Sequence, residues 1–312
     1  MTNIVLVTGG TGLIGKAIEN ISKDYNYLFI FIGSQNCDLT NSEQTNNLFE
    51  KIKPDYVIHL AAFVGGLFKN MNHKVDMYEK NILINNNVLK YAHKYKVKKV
   101  VSCLSTCIFP DNTTYPIDES MLHNGPPHHS NDAYAYAKRM LEVQSMAYQQ
   151  QYGDNFICII PTNIYGPNDN YSLDDGHVIP SLIHRCYLNK ENNEKFMVKG
   201  SGKPLRQFIY SKDLAKLIIW TLDKYDKKDS IILSVNEKDE VSIEHVAQLI
   251  AKCFDYEDNL TFDTKFSDGQ YKKTACNKKL MNLIGDFNFT TIDIGIKDSV
   301  KWFIKNYEKC RK

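Results

Sequence analysis

The sequence predicts an α/β protein, a doubly wound parallel sheet followed by a smaller C-terminal α+β part. Three observations carry that expectation. Short, continuously apolar runs alternate with helical patterns up to about residue 165; strands without polar alternation are buried on both faces, as in a parallel sheet wrapped by helices. A glycine-rich turn follows the first run directly. Beyond Gly166 the alternation gives way to loops rich in Pro, Gly and Asn with scattered short elements.

In chain order, Ile4–Thr8 reads as the first strand, Thr11–Ile21 as a helix and Tyr27–Ile32 as the second strand. Glu43–Ile52 reads as helix, Asp55–Ala62 as strand, Tyr78–Tyr95 as a long helix and Val97–Ser105 as a strand with no polar alternation until its end. A polar, Pro-containing stretch runs from Pro110 to Asp132; a helix then extends to about Tyr152, where Gly153 stops it, and Phe156–Pro161 is another buried strand. Right-handed crossovers place the ligand crevice at the carboxyl ends of such strands. The expected division is residues 1–165 and residues 166–312, with a segment near 205–215 returning to the first unit.

The composition narrows the functional classes. The chain has 312 residues, a formal net charge of +2, 43% hydrophobic and 24% charged residues, which excludes disorder, collagen and coiled coil and gives no basic footprint for nucleic acid. Its eight cysteines are widely spread, with no C-x-x-C pair and no Cys/His spacing suited to zinc, so neither a disulfide framework nor a metal site is expected. The N-terminal residues lack a basic n-region and a long apolar h-region, and no run approaches the roughly 18 apolar residues of a membrane span. The expectation is a reduced, cytoplasmic protein with no membrane partner.

The turn after the first strand reads Gly9-Gly10-Thr11-Gly12-Leu13-Ile14-Gly15. In a strand–turn–helix context these glycines let backbone amides approach a pyrophosphate at a helix N-terminus, the signature of a Rossmann-type dinucleotide-binding domain. The end of the second strand, Phe31-Ile32-Gly33-Ser34-Gln35, carries no carboxylate to repel a 2′-phosphate. The reading leans to NADP(H), with Asp38 placed toward the adenine end. Further along, Tyr134 and Lys138 stand at i and i+4 on one helix face. A nearby ammonium is expected to lower the phenol pKa, so that Tyr134 can exchange a proton with a carbonyl or alcohol. Ser105, at the end of the preceding strand, is placed to bond the same oxygen. Tyr136, Cys103 and Cys158 read as packing, His59 as a satisfied core histidine, and His128-His129 as solvated loop.

The Ser105, Tyr134 and Lys138 constellation resembles the extended short-chain dehydrogenase/reductases that modify nucleotide sugars. The segments Ala61–Leu67, Ser105–Pro110, Pro161–Pro167, Asp175–Pro180 and Ser267-Asp268-Gly269 together resemble the GDP-L-fucose synthase family across nearly the whole chain. That resemblance implies an NADPH-dependent 3,5-epimerisation and 4-reduction of a GDP-4-keto-6-deoxy sugar. It implies Cys107 as the base, His177 as the acid, and Ser105, Tyr134 and Lys138 at the carbonyl. Lys138, His177 and Pro161, Thr162, Asn163 and Ile164 would also border the cofactor, and Asn163, Arg185, Lys199, Arg206 and Asp268 would surround the GDP. At Lys199 the family usually has a Trp that stacks on guanine. A homodimer through Tyr78–Tyr95 and Asp132–Tyr152 is implied as well. The competing readings are a related 4,6-dehydratase or 4-epimerase and a non-catalytic dinucleotide sensor. The first is disfavoured because Thr106-Cys107 stands where dehydratases carry an Asp-Glu pair.

Overall fold

The computed structural model describes residues 2–312 apart from 267 and 269, and residues 67 and 68 by backbone alone. Ser267 and Gly269 of the family-like segments therefore lie outside the described residues. The first half alternates as expected: β1 (Ile4–Thr8), α1 (Leu13–Ile21), β2 (Leu28–Ile32), α2 (Ser42–Ile52), β3 (Tyr56–His59), α3 (Leu67–Asn72), α4 (Lys74–Lys94), β4 (Lys99–Cys103), α5 (Asp132–Tyr152) and β5 (Phe156–Pro161). There follow β6 (Asn163–Tyr165), α6 (Val178–Glu191), β7 (Phe196–Lys199), β8 (Leu205–Arg206), β9 (Phe208–Tyr210), α7 (Ser211–Lys224), β10 (Ile231–Leu233), β11 (Val241–Ser242), α8 (Ile243–Cys253), β12 (Leu260–Asp263), α9 (Lys278–Ile284) and α10 (Ile292–Lys305).

Six strands form one sheet in the order β10-β5-β4-β3-β1-β2, all parallel. Alternate residues of each strand feed opposite cores. Leu6, Val57, Val100 and Phe156 pack with Val88, Leu89 and Leu141 of α4 and α5. Val5, Val7, Ile58 and Val101 pack with Ile18 of α1 and Leu214, Leu217 and Ile218 of α7 on the other face. Burial on both faces is why these strands are apolar without alternation.

Two outcomes differ from the expected layout. The sixth strand is β10, three residues too short to stand out in the sequence, and it takes the free edge of β5 (Ile231 opposite Ile159). With that edge filled, Arg206–Asp213 does not enter the main sheet. Instead β9 pairs with β6 in a separate ribbon, and α7, which begins at Ser211, is the part that covers the sheet. Lys99 ties this helix down: its buried ammonium donates to the carbonyls of Thr221, Leu222 and Tyr225 at the helix end. A third core, built from Tyr171, Ile183, Phe196, Phe208, Val246, Ile250 and Phe303 among others, joins α6, α8 and α10 to the ribbons β6·β9 and β7·β12. No helix among the described residues is long and apolar enough to cross a membrane.

Candidate active site

The carboxyl ends of the strands open into a cleft of ≈ 850 Å³. Its floor begins with the glycine turn. Gly9 has φ +69°, and a Cβ there would meet the Ala61 amide at 2.8 Å, while a Cβ on Gly15 would lie 2.5 Å from Gly10. Both positions therefore require glycine: the first for its left-handed backbone, the second for the close approach of turn and helix. Gly12 caps α1 with no side-chain bond to the helix amides, so the first-turn N–H groups stay free to meet an anion.

Gly9, Thr11, Gly12, Leu13, Ile14, Gly15, Asp38, Ser105, Tyr134, Lys138, Pro161, Thr162, Asn163, Ile164 and His177 all line this cleft; Gly10 lies beneath it, its amide bonded to Ile32 O at 2.7 Å. A shelf of free backbone donors in a long cleft fits a dinucleotide. Beyond β2 the wall is Gly33 and Ser34, while the Asp38 carboxylate is engaged by the Thr40 amide and hydroxyl at 2.9 and 2.7 Å. Thr162 contributes a buried hydroxyl oxygen with no partner among the described residues.

At the catalytic end, Lys138 is buried, and its ammonium donates to Cys103 O at 2.8 Å while lying 5.9 Å from the centre of the Tyr134 ring. The expected lowering of the Tyr134 pKa by this cation does not occur in the free protein. Burial and the neighbouring Cys107 and Cys103 thiols push the phenol well above its ordinary range. The physical reason is that the ammonium is spent on a carbonyl, while the phenolate would lose its hydration. Tyr134 thus rests as a phenol, ready to donate a proton. Ser105 Oγ accepts the Cys107 amide at 3.4 Å and caps the short turn that carries the thiol.

Cys107 does not line the large cleft. It faces an adjoining pocket of ≈ 20 Å³, about the room of one water, shared with Thr106, Asp111, Tyr115, His128, Gln270 and Lys273; Thr106 borders both spaces. Burial pushes the Cys107 thiol up, while a Ser105 hydrogen bond and the Lys273 and Lys138 charges pull it down. His177, the residue preceding α6, lies open to the cleft, yet the surrounding protein removes enough water to hold its pKa below the usual histidine value.

The residues assigned to GDP do not line the cleft, apart from Asn163. Arg206 donates to the carbonyls of Leu205, Gln270 and Tyr271, so much of its donor fork is already engaged in holding a loop. Asp268 accepts the Ser201 amide and hydroxyl at 2.6 and 2.7 Å. Arg185 reaches Met197 O on β7. Lys199 ends that strand, with its ammonium 4.9 Å from the centre of the exposed Phe266 ring. These contacts run from residue to residue along one loop-and-ribbon region. Sequence reasoning missed Phe266 and Lys273; the only signal for Lys273 was its place in the basic run from Lys265 to Lys279.

Other readings have clear outcomes. His59 is buried, with Nδ1 2.8 Å from Thr8 Oγ1 and Nε2 3.1 Å from Asn85 Oδ1. Asn85 Oδ1 can only accept, so the neutral ring carries its proton on Nε2 and its Nδ1 accepts the Thr8 hydroxyl, whose oxygen also accepts from the Ala61 amide. Burial drives the His59 pKa to about 3. Cys103 and Cys158 are buried. Tyr136 is not packed inside: it is exposed on α5, because that helix turns only its opposite face to the sheet. His128 Nδ1 lies 2.8 Å from Ser130 Oγ.

A model of the NAD dependent epimerase/dehydratase family matches residues 5–235. The chain belongs to that family. It is 58% identical to a GDP-L-fucose synthase of Dictyostelium discoideum, covering 99% of this chain and 97% of the relative. It is 53% identical to a probable GDP-L-fucose synthase of Drosophila melanogaster, covering 99% of each. Its structure superposes on a GDP-L-fucose synthetase from Naegleria fowleri bound to NADP with a TM-score of 0.96 and 49% identity, over 99% of this chain and 95% of that one. The glycine shelf and the Tyr134/Lys138 pair of this family member thus lie at the sheet edge where dinucleotide chemistry is expected.

Proposed function

We propose that this protein converts GDP-4-keto-6-deoxy-D-mannose to GDP-L-fucose, by epimerisation at C3 and C5 followed by NADPH-dependent reduction at C4. The observation that carries this reading is a sheet edge with carbonyl donors, Ser105 and Tyr134, together with two further acid–base groups, His177 lining the cleft and Cys107 in the pocket next to it, which reduction alone would not need. Full-length similarity to GDP-L-fucose synthases supports the same substrate.

The glycine shelf, Ser34, Thr162, Asn163 and Lys138 would hold the dinucleotide, which supplies a hydride to C4. Cys107 removes the proton beside the ketone, Ser105 and Tyr134 bond the oxygen as enolate charge grows, and His177 returns a proton on the opposite face. The thiol is raised and the imidazole lowered, so both rest uncharged. Tyr134, a phenol at rest, then protonates the C4 oxygen.

In this reading residues 1–165 with α7 and β10 carry the cofactor, and the remainder covers the GDP end. Arg185, Arg206 and Asp268 order that end, and Phe266, backed by Lys199, offers the aromatic face that a Trp at position 199 would otherwise supply. Two copies associate through α4 and α5, whose outer faces expose Tyr78, Leu83, Tyr136, Met140 and Val143; the i, i+4, i+7 spacing of the last three makes one stripe. The eight free thiols suit a reducing cytoplasm.

The test is a panel of ketosugars linked to GDP, UDP or dTDP, followed by loss of NADPH absorbance. Turnover of the GDP sugar alone is expected; turnover only with a UDP or dTDP sugar would overturn the guanine assignment. In the same assay Cys107→Ser should cut solvent deuterium incorporation at C3 and C5 by about 10²–10⁴-fold. Undiminished incorporation removes Cys107 from the mechanism.

A further inference from the structure

The small pocket beside the cleft contains a cation that the proposed reaction leaves without a role. Lys273 lines it together with Cys107, and its position is fixed by a strap. Ile117 donates its amide to Thr274 O at 2.9 Å and accepts from the Cys276 amide at 2.8 Å. The buried Gln207 side chain holds Ala275 from both sides, at 2.7 and 3.1 Å, and Asn277 Nδ2 donates to Ser234 O at 3.0 Å. Residues 274–277 are therefore pinned against the Rossmann body just after Lys273.

Its neighbours are already engaged. Glu240 takes the Thr274 hydroxyl at 2.6 Å with one oxygen and lies 3.7 Å from the Lys272 ammonium with the other. Among the described residues, Lys273 has neither a carboxylate within salt-bridge distance nor a hydrogen-bond acceptor. A half-buried ammonium without an anion is unfavourable. Two groups in the pocket can carry negative charge, Asp111, which accepts from the Gln270 amide, and Cys107; burial and the Arg206 guanidinium lower the Lys273 pKa, while Cys107 and Asp111 raise it.

We propose that Lys273 is a positioning residue for the reaction, the countercharge that lets Cys107 ionise in a pocket that otherwise excludes charge. This assignment rests on Cys107 being the base. The charged and titratable groups around the thiol and Lys273 are Tyr134, Lys138 and Arg139 from α5, Asp111, Tyr115 and His128 in the pocket wall, and Arg206 of β8, whose charge opposes that of Lys273. Lys138 donates to the Cys103 carbonyl and Arg139 Nε to the Ile108 carbonyl, with Arg139 Nη2 buried and unpartnered; among the described residues Lys273 is the cation of this group with no acceptor on any donor.

The test is the pH dependence of Cys107 alkylation by iodoacetamide in the full-length protein, resolved peptide by peptide because eight thiols are present. Lys273→Met is expected to move the alkylation midpoint up by about one pH unit or more, Lys273→Arg to restore it, and Lys272→Met, whose ammonium pairs with Glu240, to leave it in place. Deuterium incorporation should fall in kcat, not rise in KM. An unmoved midpoint overturns the proposal, and an unmoved midpoint with a raised KM would make Lys273 a ligand of the substrate diphosphate instead. Should Lys273→Met fail to fold, Lys273→Gln poses the same question. If Cys107 is not the base, Cys107→Ser keeps its deuterium incorporation while Lys273→Met still moves the midpoint, so the two failures are told apart.

Discussion

In the proposed reading the sheet edge and the loop-and-ribbon region would meet the same substrate by different means. At the edge, recognition is made of backbone: glycines too crowded for a Cβ, free first-turn amides, and a few side chains whose helices and strands are locked into the sheet. In the region from β7 to the strap, long side chains do the work, and many are occupied with each other: Arg206 on three carbonyls, Asp268 on Ser201, Gln207 on Ala275 and Val235. Backbone recognition leaves a motif in the sequence. Recognition by side chains that fold back on their own loops leaves almost none.

That contrast can be broken or sharpened by experiment. The largest effect belongs to the edge. Tyr134→Phe removes the resting proton donor without changing the fold, and NADPH oxidation should fall by about 10²–10⁴-fold while deuterium incorporation at C3 and C5 falls much less. Equal losses of both would show that one group serves both reactions and that the edge is less divided than its geometry indicates.

Next comes His59, which ties β3 to Thr8 of β1 and Asn85 of α4. Its pKa is about 3 in the fold against 6.5 when unfolded, so between those values the unfolded chain binds a proton that the native protein refuses. Stability is therefore present above pH 6.5 and lost as pH falls, by about 2 kcal/mol near pH 5. Chemical denaturation across that range should show this slope, and His59→Gln should flatten it; an unchanged slope would move the acid-sensitive group elsewhere.

The smallest effect belongs to the loops. Phe266→Ala should raise KM for the GDP sugar about tenfold, within the roughly 1–3 kcal/mol range of a lost stacking platform, with little change in kcat. Adding Lys199→Trp to that variant should restore KM. A KM indifferent to Phe266 would place the base on another surface.

Legibility in the sequence followed the same divide. The five long strands, the glycine turn and the Tyr134/Lys138 spacing were readable because local periodicity and backbone geometry dictate them. Strand β10 was not, because three apolar residues become a strand only when β5 offers an edge. The phenol pKa was misread because spacing brings the ammonium of Lys138 near the ring but says nothing of the Cys103 carbonyl that takes its proton donors. Lys273 lay within a basic run that reads as solvated surface until Gln207 and Ile117, distant in the chain, pin the strap beside Cys107.

By itself the sequence determined that this protein is a doubly wound α/β dinucleotide-binding chain with a tyrosine, a lysine and a serine set for carbonyl chemistry, since those features depend on spacings of a few residues. Only the tertiary structure decided which side chains rest charged or neutral, which cation faces the thiol and which aromatic stands beside Lys199. Burial and charge contact are made by residues far apart in the chain, such as Lys199 with Phe266 and Lys273 with Cys107, and no local pattern encodes them.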